Sequence, residues 1–241
     1  KTDNLKIAIT QPNFIPWLGY FDLLDSIDLW ISLDNVQMVK RSFIVRNKIK
    51  AVGSDPKWLT VSLKKANQSI LINQTELDEK DWHIDAINKI KSYYSTAPFY
   101  KKYISVVEEI LSPKEKLLSV YNQRTVMDLA QLIGISVEIK TASSLIPLLE
   151  GNPEDKIMSL CEILKPTEFY NFEKGIDIGL YSGENFAKHQ IQLFKQNYQH
   201  PVYTQADPEF SPYLSILDLL FNMGENSLEV IRKGRNWVKV N

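Results

Sequence analysis

Short apolar runs alternate with amphipathic stretches along the first part of the chain. The segments 5–10 and 28–34 have the length and hydrophobicity of buried strands, and 17–26 between them fits a short helix. A further strand is predicted over 58–63. A strand, a helix and a second strand within about thirty residues predict a βαβ unit and therefore a parallel sheet.

The middle of the chain has the periodicity of helices rather than of strands. Three successive helices are predicted, over 81–96, 98–111 and 114–133. Alternation then resumes, with strand candidates at 137–141, 168–172 and 191–195. The helix between the first two of these strands is predicted to begin at Asn152, because asparagine caps helix N-termini.

These patterns predict the fold class. We expect a doubly wound, mainly parallel α/β sheet domain formed by residues 1–80 and 134–241, with 81–133 as a helical subdomain or insertion. Sheets of this kind bind ligands at the carboxyl ends of their strands. The residues that follow the predicted strands are therefore the first candidates for a site.

Composition narrows the classes of function. The 241 residues carry a net charge of −1, so the overall charge does not single out nucleic acid or an anionic membrane as a partner. The one cysteine, Cys161, excludes a disulfide within the chain and a zinc site built from cysteines. No set of His, Asp and Glu has the spacing of metal ligands, and no apolar run reaches the length of a membrane span. We expect a cytoplasmic protein without a dedicated metal site, a membrane span or a nucleic-acid partner.

The first polar stretch follows the first predicted strand. Pro12 and Pro16 restrict the loop, and Gln11 and Asn13 place amide donors and acceptors on it. The equally weighted alternative is that the prolines and Trp17 only shape a turn and fill the core.

The second polar stretch follows the second predicted strand, which ends at Asp34. Five basic side chains fall between positions 40 and 50, and in a near-neutral protein such a cluster indicates a phosphate site. The residues assigned to it are Gln37, Lys40, Arg41, Arg46, Asn47 and Lys48. The alternative is a solvated basic face.

The third polar stretch lies near the end of the chain, from His200 to Asn222. Asp218 and Asn222 are one helical turn apart among apolar neighbours, so the carboxylate requires a partner or a function. Tyr203 and Gln205 are the nearby polar groups that would orient a ligand or a ring. Asp218 as a cap or salt-bridge partner, and His200 bonded to a backbone carbonyl in a His-Pro turn, are the structural alternatives.

All three stretches contribute to a family resemblance. The segments 11–22, 33–37, 40–41 and 46–50, together with 170–194, Phe210 and 215–222, resemble the WbqC-like protein family over nearly the whole chain. The resemblance implies a bacterial protein of O-antigen or other surface-polysaccharide assembly that acts on nucleotide-linked sugars. It implies the pathway more firmly than the reaction.

A second resemblance concerns the fold alone. The strand, the proline-rich loop and the following helix are similar to the opening of nucleotidylyltransferase-type folds. Members of those folds have histidines where Trp17 and Tyr20 stand here. Because an aromatic pair supplies no positive charge to a transferring phosphate, we expect a related architecture without adenylyl transfer.

The leading hypothesis is an enzyme that transfers an acyl or aminoacyl group to a nucleotide-linked amino sugar. The candidate bases are His200, Asp34 and Asp218, and the candidate donors to the developing oxyanion are Gln11, Asn13 and Asn47. The cations Lys40, Arg41, Arg46 and Lys48 would bind the diphosphate, and Trp17 or Tyr20 would stack on a base or sugar. The acyl donor would be an acyl-CoA or the thioester of an acyl carrier protein, or the reaction would use ATP. The alternatives are a nucleotidyl-transfer or ATP-dependent enzyme and a non-catalytic accessory protein of glycan assembly.

Overall fold

A computed structural model describes residues 3–241 and contains strands and helices that largely alternate. The strands are β1 (Lys6–Thr10), β2 (Leu29–Ser32), β3 (Arg46–Ile49), β4 (Lys57–Thr60), β5 (Glu138–Thr141), β6 (Glu168–Asn171), β7 (Gln192–Gln196) and β8 (Trp237–Val240). The α-helices are α1 (Leu18–Ser26), α2 (Trp82–Tyr94), α3 (Tyr100–Leu111), α4 (Leu118–Ile133), α5 (Ala142–Leu145), α6 (Pro153–Leu164), α7 (Glu173–Asp177), α8 (Gly183–Lys188), α9 (Ile216–Met223) and α10 (Ser227–Lys233).

The main sheet has the strand order β5-β2-β1-β6-β7-β8. Neighbouring strands are parallel except at the edge, where β8 runs antiparallel to β7. The prediction of a doubly wound, mainly parallel α/β fold is confirmed. The chain leaves β1 toward β2 but leaves β6 toward β7, so the order reverses between β1 and β6. In sheets of this type that point is where ligands bind.

The central strand β1 is buried on both faces, which explains its continuous apolar run. Ile7 and Ile9 pack into a cluster with α6 and α8, whereas Ala8 packs into the larger cluster on the opposite face. Helix-covered parallel sheets have strands of this composition because neither face is exposed to water.

One predicted strand lies outside the main sheet. The run assigned to 58–63 overlaps β4, which pairs antiparallel with β3 in a separate two-stranded ribbon. We did not predict β3 because two of its four side chains are charged, and only Asn47 and Ile49 are buried.

The predicted middle helices are present as α2, α3 and α4. Their apolar faces pack in the same cluster as Phe14 and Trp30 from the sheet region. The division into a sheet domain and a helical subdomain therefore stays a prediction. Two predicted helix boundaries are confirmed: Asn152 accepts a hydrogen bond from the Asp155 N–H at 2.8 Å, and Gly134 ends α4 with a φ of 105°.

A buried ion pair fastens the end of the chain to α1. The Arg235 guanidinium donates to the Asp22 carboxylate at 2.8 Å, and the Asp22 side chain is fully buried. Burial raises the pKa of Asp22, and Arg235 limits that rise. Asp25 on the same helix contacts both Arg235 and the more exposed Arg232.

We predict that Arg235→Met lowers the free energy of unfolding by about 3–5 kcal/mol, because Asp22 is left charged and buried without its cation. Arg232→Met is the matched control and costs about 1 kcal/mol or less, because its side chain is 53% exposed and Asp25 keeps Arg235. Urea unfolding measures both. Equal losses in the two variants would contradict this account.

Candidate functional site

A cleft of about 580 Å³ lies at the carboxyl ends of β1 and β6, where the strand order reverses. We call it the switch-point cleft. Five residues singled out from the sequence line it, namely Gln11, Asn13, Trp17, Tyr20 and Asn47. The position agrees with the general rule for doubly wound sheets, and the volume is that of a small-molecule site.

The loop that forms one wall, residues 11–17, is held by backbone bonds from separate parts of the chain. The Phe14 N–H donates to the Phe43 carbonyl at 2.9 Å, and the Pro16 carbonyl accepts from the Ile216 N–H at 2.8 Å. Ile15, which is fully buried, has a φ of 34°, a conformation that costs energy for a β-branched residue. Packing therefore holds this loop in a strained shape, as is often seen where a site is preorganised.

A chain of hydrogen bonds fixes the start of the loop. The Trp30 indole N–H donates to Thr10 Oγ1 at 2.9 Å, and the Thr10 and Tyr20 hydroxyls lie 2.9 Å apart. The Tyr20 hydroxyl donates to the Gln11 carbonyl at 2.6 Å, so the Thr10 hydroxyl is the donor to Tyr20. Burial raises the pKa of Tyr20 well above its usual value. With its ring 1% exposed and its hydroxyl occupied, Tyr20 supports the wall and does not offer the stacking face predicted for it.

The amides on this loop differ in availability. The Gln11 and Asn13 side chains line the cleft, are half-buried and make no hydrogen bond to any residue of the described range 3–241. Asn47 is buried, donates to the Phe14 carbonyl at 3.4 Å and accepts from the Lys48 N–H at 2.8 Å. Gln11 and Asn13 are therefore free to bind a ligand, while Asn47 supports the loop.

Aromatic side chains form another part of the cleft lining. Trp17 contacts the edge of Tyr198 and the ring of Tyr213, both with ring centroids 5.5 Å apart. Gly19 makes this possible, because a Cβ at that position would overlap the Trp17 indole. Tyr213 is 61% exposed at the cleft rim and offers a free face to a ligand.

His200 does not have the geometry of a general base. Its ring stacks on Trp17, Nε2 accepts from the Tyr213 N–H at 3.0 Å, and Nδ1 lies 2.8 Å from the Pro201 carbonyl. The neutral ring therefore carries its proton on Nδ1 and donates it to that carbonyl. Burial lowers the pKa of His200. Both nitrogens are occupied by the backbone, so we revise the catalytic prediction and assign His200 to the aromatic wall.

The acidic group at the cleft is one that the sequence interpretation missed. Glu173 and Lys174 lie just after β6, separated from it by Phe172, and their exposed side chains line the cleft. The rule that selected Gln11 after β1 would have selected Glu173 after β6. The sequence alone does not show that β6 is the neighbour of β1 in the sheet.

Asp34 and Gln37, which are two further candidates from the sequence, do not line the cleft. Asp34 is 4% exposed and accepts from the backbone N–H and the hydroxyl of Ser143, at 3.0 and 2.6 Å. It thereby fixes the first turn of α5. Gln37 is exposed and donates to the Gln68 carbonyl at 3.0 Å. The order of the sheet explains this, because β2 lies on the side of β1 away from β6.

The predicted phosphate-binding cations line a different cavity. Lys40, Arg41 and Arg46 border a groove of about 680 Å³, which we call the basic groove. Arg46 and Lys48 both lie over the Trp58 ring, with Arg46 Cζ 3.9 Å and Lys48 Nζ 4.9 Å from its centroid. The predicted single site, with cations beside Trp17, is thus divided between two cavities.

The third predicted group forms a closed network. Asp218 is 3% exposed and accepts from Tyr94 at 2.9 Å, Tyr203 at 2.6 Å and Gln205 at 2.9 Å. Asn222 borders the same small cavity, which has a volume of about 20 Å³, roughly the room needed for one water molecule. Burial raises the pKa of Asp218 although these donors oppose the rise.

Further bonds from this network hold the segment that precedes α9. Gln205 also exchanges hydrogen bonds with the backbone of Ser211, at 2.9 and 3.0 Å. Asp207 pairs with Lys50 and accepts from the Gly53 N–H. The irregular segment before α9 is thereby tied to β3 and its turn. The arrangement favours the structural interpretation of Asp218, Tyr203, Gln205 and Asn222 over a catalytic one.

Comparison with known proteins identifies the family of the chain. The model of the WbqC-like protein family matches residues 11–230. The chain belongs to the WbqC-like protein family. An uncharacterized protein of Mycobacterium tuberculosis (strain ATCC 25618 / H37Rv), Rv1507c, is 31% identical over 231 residues, which cover 94% of this chain and 97% of the relative. No solved structure matches the chain significantly. The family resemblance inferred from the opening motif is confirmed, and the matched range of this WbqC-like protein includes every residue that lines the switch-point cleft.

Metal-binding groups and helices that could cross a membrane are both absent from the described residues. Within 3–241, no group of three or more His, Cys, Asp or Glu side chains is placed to hold a metal ion. None of the helices in the same range has the length and hydrophobicity to cross a membrane.

Cys161 is buried, and burial raises the pKa of its thiol to about 12, so it is not a reactive nucleophile.

The Asp218 network predicts a specific pH dependence. Because the folded-state pKa of Asp218 is raised above 3.8, its contribution to stability is full below the unfolded pKa and is lost as pH rises through the folded pKa. The free energy of unfolding of the wild type, minus that of Asp218→Asn, should therefore increase as pH falls from about 7 to about 4. Urea unfolding at a series of pH values measures this difference.

Asp25→Asn is the matched control, with the opposite sign. Burial of Asp25 opposes ionisation, but bonds from Arg232 and Arg235 lower its pKa. Its contribution is present above the unfolded pKa and is lost as pH falls through the lowered folded pKa, so the corresponding difference should shrink as pH falls below about 4. As pH falls, the difference in free energy of unfolding should grow for Asp218→Asn and shrink for Asp25→Asn. Changes in the same direction for the two variants would contradict these assignments.

Proposed function

We propose that this WbqC-like protein is a transferase of surface-polysaccharide assembly. It holds a nucleotide-linked amino sugar in the switch-point cleft and adds an acyl or aminoacyl group to the sugar amine. The observation that carries the proposal is the pair of unoccupied amides, Gln11 and Asn13, on a rigid loop at the point where the strand order reverses.

The lining of the cleft suits a sugar. Amide groups donate to and accept from hydroxyls, and Gln11 and Asn13 present two such groups side by side. The exposed ring of Tyr213 provides an apolar face for the C–H side of a sugar or for a base. A mainly apolar wall with a few fixed polar groups is the usual composition of a small-molecule site.

The transfer step requires a base and donors to an oxyanion. The amine nitrogen attacks the carbonyl carbon of a thioester, a C–N bond forms, the C–S bond breaks, and the thiolate leaves. The amine proton passes to the base and then to the thiolate, so the free thiol is released. Glu173 is the carboxylate at the cleft and is assigned as the base, while Gln11 and Asn13 are the candidate oxyanion donors.

The position of Trp17 and Tyr20 argues against nucleotidyl transfer. Both lie at the cleft, where nucleotidylyltransferase-type folds place histidines. The Tyr20 hydroxyl is consumed by its hydrogen bonds, and the Trp17 ring is packed among aromatic neighbours. Neither supplies positive charge to a transferring phosphate.

Ligand affinity tests the site. We predict that Gln11→Ala and Asn13→Ala each weaken binding of a uridine-diphosphate amino sugar by about 0.5–1.5 kcal/mol, because each removes a hydrogen bond. Gln131→Ala, which removes an exposed glutamine on α4 outside the cleft, is the control and leaves the affinity unchanged. Calorimetry measures all three. Unchanged affinity in both cleft variants would show that the sugar does not bind in this cleft.

Turnover tests the assigned base. Glu173→Gln keeps the size and polarity of the side chain but removes its basicity, so the turnover number should fall roughly 10²–10⁴-fold with little change in sugar affinity. Glu150→Gln, at another exposed glutamate, is the control and keeps full activity. Turnover of Glu173→Gln within a few-fold of the wild type would exclude the base role. Sugar binding without any transfer in the wild type would favour an accessory protein.

A further inference from the structure

The basic groove carries positive charge that the protein does not neutralise. Of its lining cations, Lys64 pairs with Glu79 at 2.8 Å. Lys40, Arg41, Arg46 and Lys65 have no salt bridge to any residue of the described range 3–241. Four unpaired cations around one cavity of a chain with a net charge of −1 indicate a site for an anion.

Arg46 is held in place before any ligand arrives. Its guanidinium lies over the Trp58 ring, and its Nε is buried without a hydrogen-bond partner. A stacked arginine retains its outer N–H groups for an anion and loses little side-chain entropy on binding. Arg41, at the rim, has a φ of 55°, a left-handed conformation that is uncommon outside glycine.

The floor of the groove is apolar. Met38, Val45, Val61, Leu63 and Ile70 line it, and no lining residue of the described chain is aromatic. The groove therefore offers cations for a phosphate and an aliphatic surface for a chain, but no ring on which a nucleobase would stack. This combination suits a phosphate ester that carries a flexible, largely apolar arm.

The basic groove and the switch-point cleft share one wall. Lys40 and Arg41 face the groove, whereas the next two residues, Ser42 and Phe43, face the cleft. Consecutive Cα atoms are about 3.8 Å apart, so the rims of the two cavities are one residue apart along this segment. A flexible arm that starts in the groove has to pass only the rim at Arg41 and Ser42 to enter the cleft.

We propose that the basic groove binds the phosphopantetheine arm of an acyl thioester. The phosphate contacts Lys40, Arg41 and Arg46, the pantetheine chain lies on the apolar floor, and the thioester end crosses the rim into the cleft. The role as a donor site rests on the proposed transferase function, whereas the binding of the arm itself does not. The same arm occurs in free coenzyme A and on acyl carrier proteins.

Calorimetry with defined probes tests the proposal. The probes are inorganic phosphate, 4′-phosphopantetheine, its non-transferable S-butyl thioether, coenzyme A and a uridine-diphosphate amino sugar. We expect the thioether to bind at least about tenfold more tightly than phosphate, because the arm buries apolar surface. Coenzyme A binding roughly tenfold more tightly than phosphopantetheine would point to the free coenzyme as the source. Equal affinities would point to a carrier protein.

The decisive variant is Lys40→Gln/Arg41→Gln, which we expect to fold normally because both substituted side chains are exposed. It should weaken thioether binding roughly tenfold or more and leave sugar-nucleotide affinity within about twofold. Lys57→Gln/Lys101→Gln makes the same change of charge at exposed lysines outside both cavities and should have no effect.

Two results would overturn the proposal, and each is distinct from failure of the proposed function. The first is no detectable binding of the thioether. The second is loss of sugar-nucleotide affinity in Lys40→Gln/Arg41→Gln, which would assign these cations to the diphosphate, as the sequence predicted. A third result separates the two proposals. If the protein binds the thioether but not the sugar nucleotide, the proposal for the basic groove is supported and the function proposed for the cleft is rejected.

Discussion

The site depends on one buried amide. The Asn122 side chain on α4 is fully buried and donates to the Pro12 carbonyl at 3.0 Å and to the Ile44 carbonyl at 2.8 Å. These carbonyls belong to the two segments that wall the switch-point cleft. The Asn122 side chain therefore links these segments, together with the bonds from the Phe14 N–H to the Phe43 carbonyl and from Asn47 to the Phe14 carbonyl. Without such a bond both buried carbonyls would lack a partner, which is costly. The helical middle of the chain therefore takes part in building the cleft.

Much of the fold and part of the site followed from the sequence. Apolar runs predicted β1, β2 and the later parallel strands, and the rule for strand ends selected Gln11. What the sequence did not provide was the order of the strands in the sheet. That order separates Asp34 from the cleft and brings Glu173 to it, although Asp34 lies just after β2 as Gln11 lies just after β1.

Two other candidates have side chains whose hydrogen-bonding groups already have partners within the protein. Asp218 and His200 are polar residues in apolar surroundings, as predicted, but their bonds to Tyr203 and to the Tyr213 backbone are tertiary contacts that no local pattern reveals. Gln11 and Asn13 look no more functional in the sequence than Asn47 does. Their distinction is that tertiary packing leaves their amides unpaired.

The central claim is that the switch-point cleft, and not another cavity, holds the sugar nucleotide. Hydrogen–deuterium exchange of the wild-type protein, with and without a saturating uridine-diphosphate amino sugar, tests it directly, because ligand contacts slow exchange of the amides that they protect. The account predicts slower exchange in 11–17 and 171–174, at the carboxyl ends of β1 and β6. Slower exchange confined to 38–46 and 60–67, around the basic groove, would contradict it.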